Sequence, residues 1–129
     1  MVLAWPAQSD SATNYLAVTN TSWVANHSDT TIRFLRALDQ AENFVIHYPD
    51  VSKMALSNDL NYSTNYTEKI WANHQFTLSL EQSLILRMED QSRWMIRNNL
   101  TSSPVPNFLN YIYIDWLESV NPGSVNIIR

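Results

Sequence analysis

Two stretches of the chain carry a sustained helical alternation of apolar and polar positions. From Ser28 or Asp29, either of which can cap a helix, Ile32, Leu35, Leu38, Ala41, Val45 and Tyr48 recur at spacings of three and four, with Phe34 and Phe44 widening the stripe. The pattern predicts a helix from about Asp29 to Tyr48. The second stretch, from Leu80 to Asn98, sets Leu80, Leu84, Met88, Gln91 and Met95 on one face and Glu89 four residues ahead of Arg93, the favourable order for an ion pair. Asn98 and Asn99 are suited to end it. Ser79 with Gln82 has the spacing of a capping box, and Phe76, Leu78 and Leu80 alternate with Thr77 and Ser79, so an extended entry into this helix is expected.

Shorter elements fill the rest. Pro49 suits the first turn of a helix to about Asn58, with Val51, Met54 and Ala55 as its inner face. Tyr62 to Trp71 reads as another helix, facing inward through Tyr66, Ile70 and Tyr62. Pro104 and Pro106 bracket a turn before an amphipathic element from about Asn107 to Ser119, which Pro122 and Gly123 close ahead of Val125, Ile127 and Ile128. At the other end, the apolar run Met1 to Trp5, halted by Pro6, and the loosely alternating Tyr15 to Thr19 read as short strands. A polar loop of Gln8, Ser9, Asp10, Ser11 and Asn14 joins them, and the period turns helical after Asn26. The expected fold class is mainly α with one or two short N-terminal strands.

Composition narrows the chemistry. With 129 residues, 45% hydrophobic, the chain is long enough for one domain with a core. Cysteine is absent, which removes disulfides, thiolate metal sites and thiol nucleophiles. Gly123 is the one glycine, so a phosphate-cradling loop, a dinucleotide fingerprint and a Gly-x-Ser-x-Gly elbow are excluded. The net charge of −4 offers no basic field for a nucleic acid, and no nucleic-acid partner is expected. No apolar run reaches the roughly 20 residues of a membrane helix, and Met1 to Trp5 is too short and uncharged to read as a signal peptide.

Candidate reactive groups are sparse. His27, His47 and His74 stand at no metal-ligand spacing, so no metal is expected, and the carboxylates form no recognisable acid–base pair. Arg87, Arg93 and Arg97 around Trp94 have the makings of a cation and stacking platform, but their alternation with Met95 and Ile96 is that of a solvated helix face. The aromatic residues fall mostly on apolar stripes, where core packing is the simpler role. Asn-x-Ser/Thr triplets begin at Asn20, Asn26, Asn61, Asn65 and Asn99, a number that composition alone brings close to chance.

The order of several segments carries more. Thr31 to Phe44, Tyr48-Pro49, Leu80 to Leu84, Met88 to Gln91 with Arg93 to Ile96 and Asn98 to Thr101, Pro106 to Leu109, and Val120 to Pro122 with Val125 to Ile128 succeed one another along the chain. Together they resemble the C-terminal portion of ABC-importer substrate-binding proteins, in the nitrate, sulfonate, taurine and thiamine-precursor class. The resemblance runs from about Tyr15 to the end and rests on the ordered set. It implies the C-terminal part of a two-lobed α/β periplasmic-binding-protein-like fold, with residues 1–27 ending the second lobe and returning through the hinge and residues 28–129 forming the helical end of the first lobe.

That resemblance also implies a function. The chain would be a fragment of an extracytoplasmic protein, in the periplasm or at the cell surface, that delivers a small solute to ABC permease subunits without catalysis or cofactor. Most of the family's ligand-contacting loops would lie outside it; by position near hinge and cleft, Trp5, Gln8, Ser9 and Tyr15 are the candidate ligand-binding residues. A fragment that keeps stripes such as Leu35, Leu38 and Val45 without the sheet they would cover is expected to self-associate. The alternative reading is a self-standing helical interaction module. An enzyme is not expected.

Overall fold

The computed structural model describes residues 14–129. The strand expected at Met1 to Trp5 lies outside that range. Six α-helices form among the described residues: α1 (Thr21–Asn26), α2 (Ser28–His47), α3 (Pro49–Leu60), α4 (Thr64–Trp71), α5 (Gln82–Arg97) and α6 (Ile114–Val120). Short 3-10 turns at Phe108–Tyr111 and Pro122–Ser124 flank α6. The mainly helical expectation holds, and α2 and α5 are the two longest helices, each without a break.

The strand expected at Tyr15 to Thr19 is absent. That segment is irregular and exposed, with Tyr15 at 85% and Val18 at 86% exposure. An alternating run without a neighbouring strand has no ladder for its backbone groups, and water serves them instead. Helical structure starts earlier than the apolar pattern suggests because the Asn20 side chain accepts the Ser22 N–H at 2.8 Å and caps α1, which buries Val24. Among the described residues the one β-pairing is an isolated parallel bridge between Leu80 and Val125, so no sheet of an α/β lobe is present in them.

Helix ends follow local chemistry. Tyr48 separates α2 from α3: its N–H donates to the Phe44 carbonyl, and its own carbonyl accepts from the Ser52 N–H and hydroxyl. Pro49 then opens α3 as its spacing predicts. Asn61 and Asn99 adopt left-handed backbone, with φ of 53° and 57°, just beyond α3 and α5. In each case the following residue donates back across the helix end, Tyr62 to Ser57 and Leu100 to Met95, which closes a Schellman-type turn.

The expected capping box is displaced. Helix α5 begins at Gln82, not at Ser79, and its first free N–H, that of Gln82, donates to Asn126 Oδ1 at 2.8 Å. Residues 80–82 and 124–128 run side by side: Leu80 donates to Ser124 and accepts from Asn126, and Ile128 donates to Gln82 Oε1. The extended entry foreseen at Phe76 to Leu80 thus pairs with the C-terminal tail. The amphipathic element foreseen over Asn107 to Ser119 is divided, a 3-10 turn preceding α6.

A small core sits where these pieces meet. Ile85, Ile114 and Ile127 are buried, with Leu80, Phe108, Leu109, Ile112 and Val125 packed around them. Helix α2 lies along α6, where Asn121 Nδ2 donates to Asp39 at 2.7 Å, and it is tied to the segment ahead of α5 by Glu42 accepting the Leu78 N–H at 2.7 Å. Helices α3 and α4 pack through hydroxyls rather than through the stripes their sequences advertise. Val51, Met54, Tyr62 and Tyr66 are exposed, while Ser52 and Thr67 are buried; the Thr67 hydroxyl donates to the Ser63 carbonyl and accepts from Ser57. Small side chains bring two short helices close, and each buried hydroxyl has its partner.

Candidate functional site

The histidines are occupied as helix-end groups. His27, His47 and His74 each place Nδ1 within 2.6–2.7 Å of the carbonyl four residues earlier, those of Trp23, Asn43 and Ile70. A carbonyl only accepts, so each Nδ1 carries the proton and donates. These bonds fall in the last turns of α1, α2 and α4, where the imidazole adds a donor at a backbone carbonyl. Asn26, Asn43, Asn73 and Asn98 make the same bond through Nδ2, Asn43 within α2 and the other three at or just past a helix end. Among the described residues, no three His, Asp or Glu side chains gather in a way that would hold a metal ion.

Two open grooves stand out among the described residues. One, of about 470 Å³, lies between the 3-10 turn at Phe108–Tyr111 and α6, floored by Ile112 and Ile114. Its wall is an aromatic shelf, the rings of Tyr113 and Trp116 stacked at 4.9 Å and 14°. Arg129 closes one end but is engaged by two carboxylates, Asp115 at 2.7 Å and Glu118 at 2.5 Å. An anionic ligand would therefore have to displace both. The second groove, of about 490 Å³, is a slot of mixed polarity between the end of α2 and the segment after α4, lined by Val45, Ile46, Pro49, Trp71 and Phe76 with Gln75 and Thr77. Trp71 and Phe76 pack with ring centroids 4.5 Å apart, and Lys53 Nζ sits over the Trp71 ring at 5.7 Å while paired with Glu68 at 2.9 Å.

The arginine platform on α5 resolves as a solvated face. Arg93 donates to Glu89 and Asp90, both at 2.8 Å, and these bonds, Glu89's first, raise its pKa above the ordinary arginine value. Arg87 donates to the Ser83 carbonyl and hydroxyl. Trp94 is about half exposed beside them with its neighbouring guanidinium committed to carboxylates.

Of the four positions expected near a ligand, Trp5, Gln8 and Ser9 lie outside the described residues. Tyr15 projects from the irregular segment and lines neither groove. Of the groove residues the sequence pattern placed Val45 on a helix stripe and Phe76 in an extended run; the one available signal was the density of aromatics at Trp71 with Phe76 and at Tyr113 with Trp116. All five triplet asparagines are exposed, though the Thr67 hydroxyl of the Asn65 triplet is buried. No protein-family model, curated protein or solved structure matches this chain.

Proposed function

We propose that this chain is a non-catalytic helical association element, whose apolar faces complete their burial against another polypeptide surface. The surface area carries this reading. A compact chain of 14.9 kDa exposes about 7,000 Å², and this one exposes 10349 Å². Residues 1–13, taken as fully extended, would supply about 2,000 Å² at most. The irregular residues 14–20 supply up to about 1,100 Å² more, which leaves the helical residues 21–129 about 900 Å² above a compact chain of their size, on the scale of one side of a specific protein interface. Much of it is apolar, including Phe34, Phe44, Ile46, Val51, Met54 and Leu86. Unpartnered patches of this kind mark interaction surfaces.

An apolar-surface dye tests the reading. Strong fluorescence enhancement at native pH, lost on addition of the true partner, is expected. A chain that excludes the dye and sediments as a compact monomer would overturn it.

The order of segments that resembles an importer's solute-binding protein supports a second, more specific reading, in which a sheet elsewhere in a longer protein supplies the covering surface. Recovery of the adjoining coding sequence separates the two, since an α/β half upstream belongs to the second alone. On that reading, calorimetry of this chain with nitrate, sulfonates, taurine and pyrimidine precursors gives no heat, because affinity in a two-lobed protein needs both sides of the cleft.

A further inference from the structure

Helix α2 carries one broad apolar surface, of which one side is half-buried and the other exposed. Ile32, Leu35, Leu38 and Val45 are half-buried. On the far side Phe34, Ala37, Ala41 and Phe44 are all exposed, the two phenylalanines at 50% and 48%, and Tyr48 continues the row at 57%. The four helical members, Phe34, Ala37, Ala41 and Phe44, have the three, four, three spacing of a coiled-coil seam and share one narrow stripe of α2, which ends at His47.

We propose that a second copy of this chain seats antiparallel on this seam, across a two-fold axis level with Asp39. The inference rests on the association reading above and names the partner. The seam is self-complementary: with the direction reversed, Phe34 meets the partner's Phe44 and Ala37 meets the partner's Ala41, which is the condition a two-fold interface imposes. The alanines let the helix axes approach to about 8 Å, and the rings at either end pack against the facing helix. Antiparallel alignment also sets the positive end of each helix dipole beside the negative end of the other.

The edges of the seam suit the same partner. One edge carries Arg33, Gln40 and His47, the other Thr31, Leu38 and Val45. Neither presents a carboxylate, so a second copy brings no acid against acid despite the net charge of −4. Gln40 meets its own counterpart, and an amide both donates and accepts. The area suffices for a modest dimer: each half-exposed aromatic offers about 100 Å², and with the alanines and edge residues the pair of copies buries about 1,000 Å² in all, at the threshold of a specific interface.

The test uses the full chain. Sedimentation over a range of concentrations is expected to show a dimer, and Ala41→Glu is expected to raise its dissociation constant at least about tenfold with the helical signal unchanged, since it puts a charge in the seam. Because the chain has no cysteine, introduced thiols report orientation. Ala37→Cys mixed with Ala41→Cys should form an intermolecular disulfide that neither variant forms alone. A monomer at about 100 µM, a dimer indifferent to Ala41→Glu, or Ala37→Cys cross-linking to itself would each overturn the proposal. A monomer that still binds the apolar dye leaves the association reading standing while this proposal falls; a monomer that excludes the dye ends both.

Discussion

Asn61 and Asn99 stand where most proteins place glycine. A left-handed residue with a Cβ is strained by about 1–2 kcal/mol, a cost asparagine reduces through local polar contacts. Asn61→Ala is therefore expected to destabilise the fold by about 1 kcal/mol, while Asn61→Gly should be neutral or stabilising, as read by urea denaturation followed by circular dichroism. Asn126 acts at longer range, since its Oδ1 accepts the Gln82 N–H that opens α5. Asn126→Ala removes a cap delivered from 44 residues away and should cost about 1 kcal/mol, with loss of amide protection at Gln82.

At the scale of elements, burial separates positions that look equivalent on a helical wheel. Ile85 is the buried residue of α5, at 5% exposure, and joins Ile114 and Ile127 in the core. Ile85→Ala should destabilise by about 2–4 kcal/mol. Met54, on the expected inner face of α3, is 62% exposed, and Met54→Ala should change stability by less than about 0.5 kcal/mol. Ser57→Ala, a smaller deletion on the same helix, should cost about 1 kcal/mol, because Thr67 then keeps its bond to Ser63 but loses the one it accepts from Ser57. Chemical denaturation of the three variants side by side checks the ordering.

Across the whole molecule the buried hydrophobics are few: Val24, Ile85, Ile114, Leu117 and Ile127 among the described residues. The slope of free energy against urea scales with the surface exposed on unfolding. It is therefore expected to fall below that of compact chains of equal length, and a slope at the compact value would mean that the apolar faces are buried in solution. Of the candidate site little was legible. Tyr15 lies away from both grooves, and each groove is assembled from segments whose approach no local pattern encodes.

The sequence by itself determined the two long helices, the start of α3 and the end of α5. The period of α2 and α5, Pro49 at the start of α3 and Asn98 with Asn99 after α5 all act over three to five residues, within one hydrogen-bonded turn, so neighbours in the chain suffice to specify them. Tertiary structure alone decided which apolar residues point inward. Leu38 and Ala41 stand on the same predicted stripe of α2, yet Leu38 is half-buried and Ala41 exposed, in a helix held by Asp39 and Glu42 to Asn121 and the Leu78 backbone. The start of α5 was decided in the same way, by a tail more than 40 residues downstream. Periodicity defines a stripe but not what covers it, because burial is a property of two surfaces and a sequence pattern describes one.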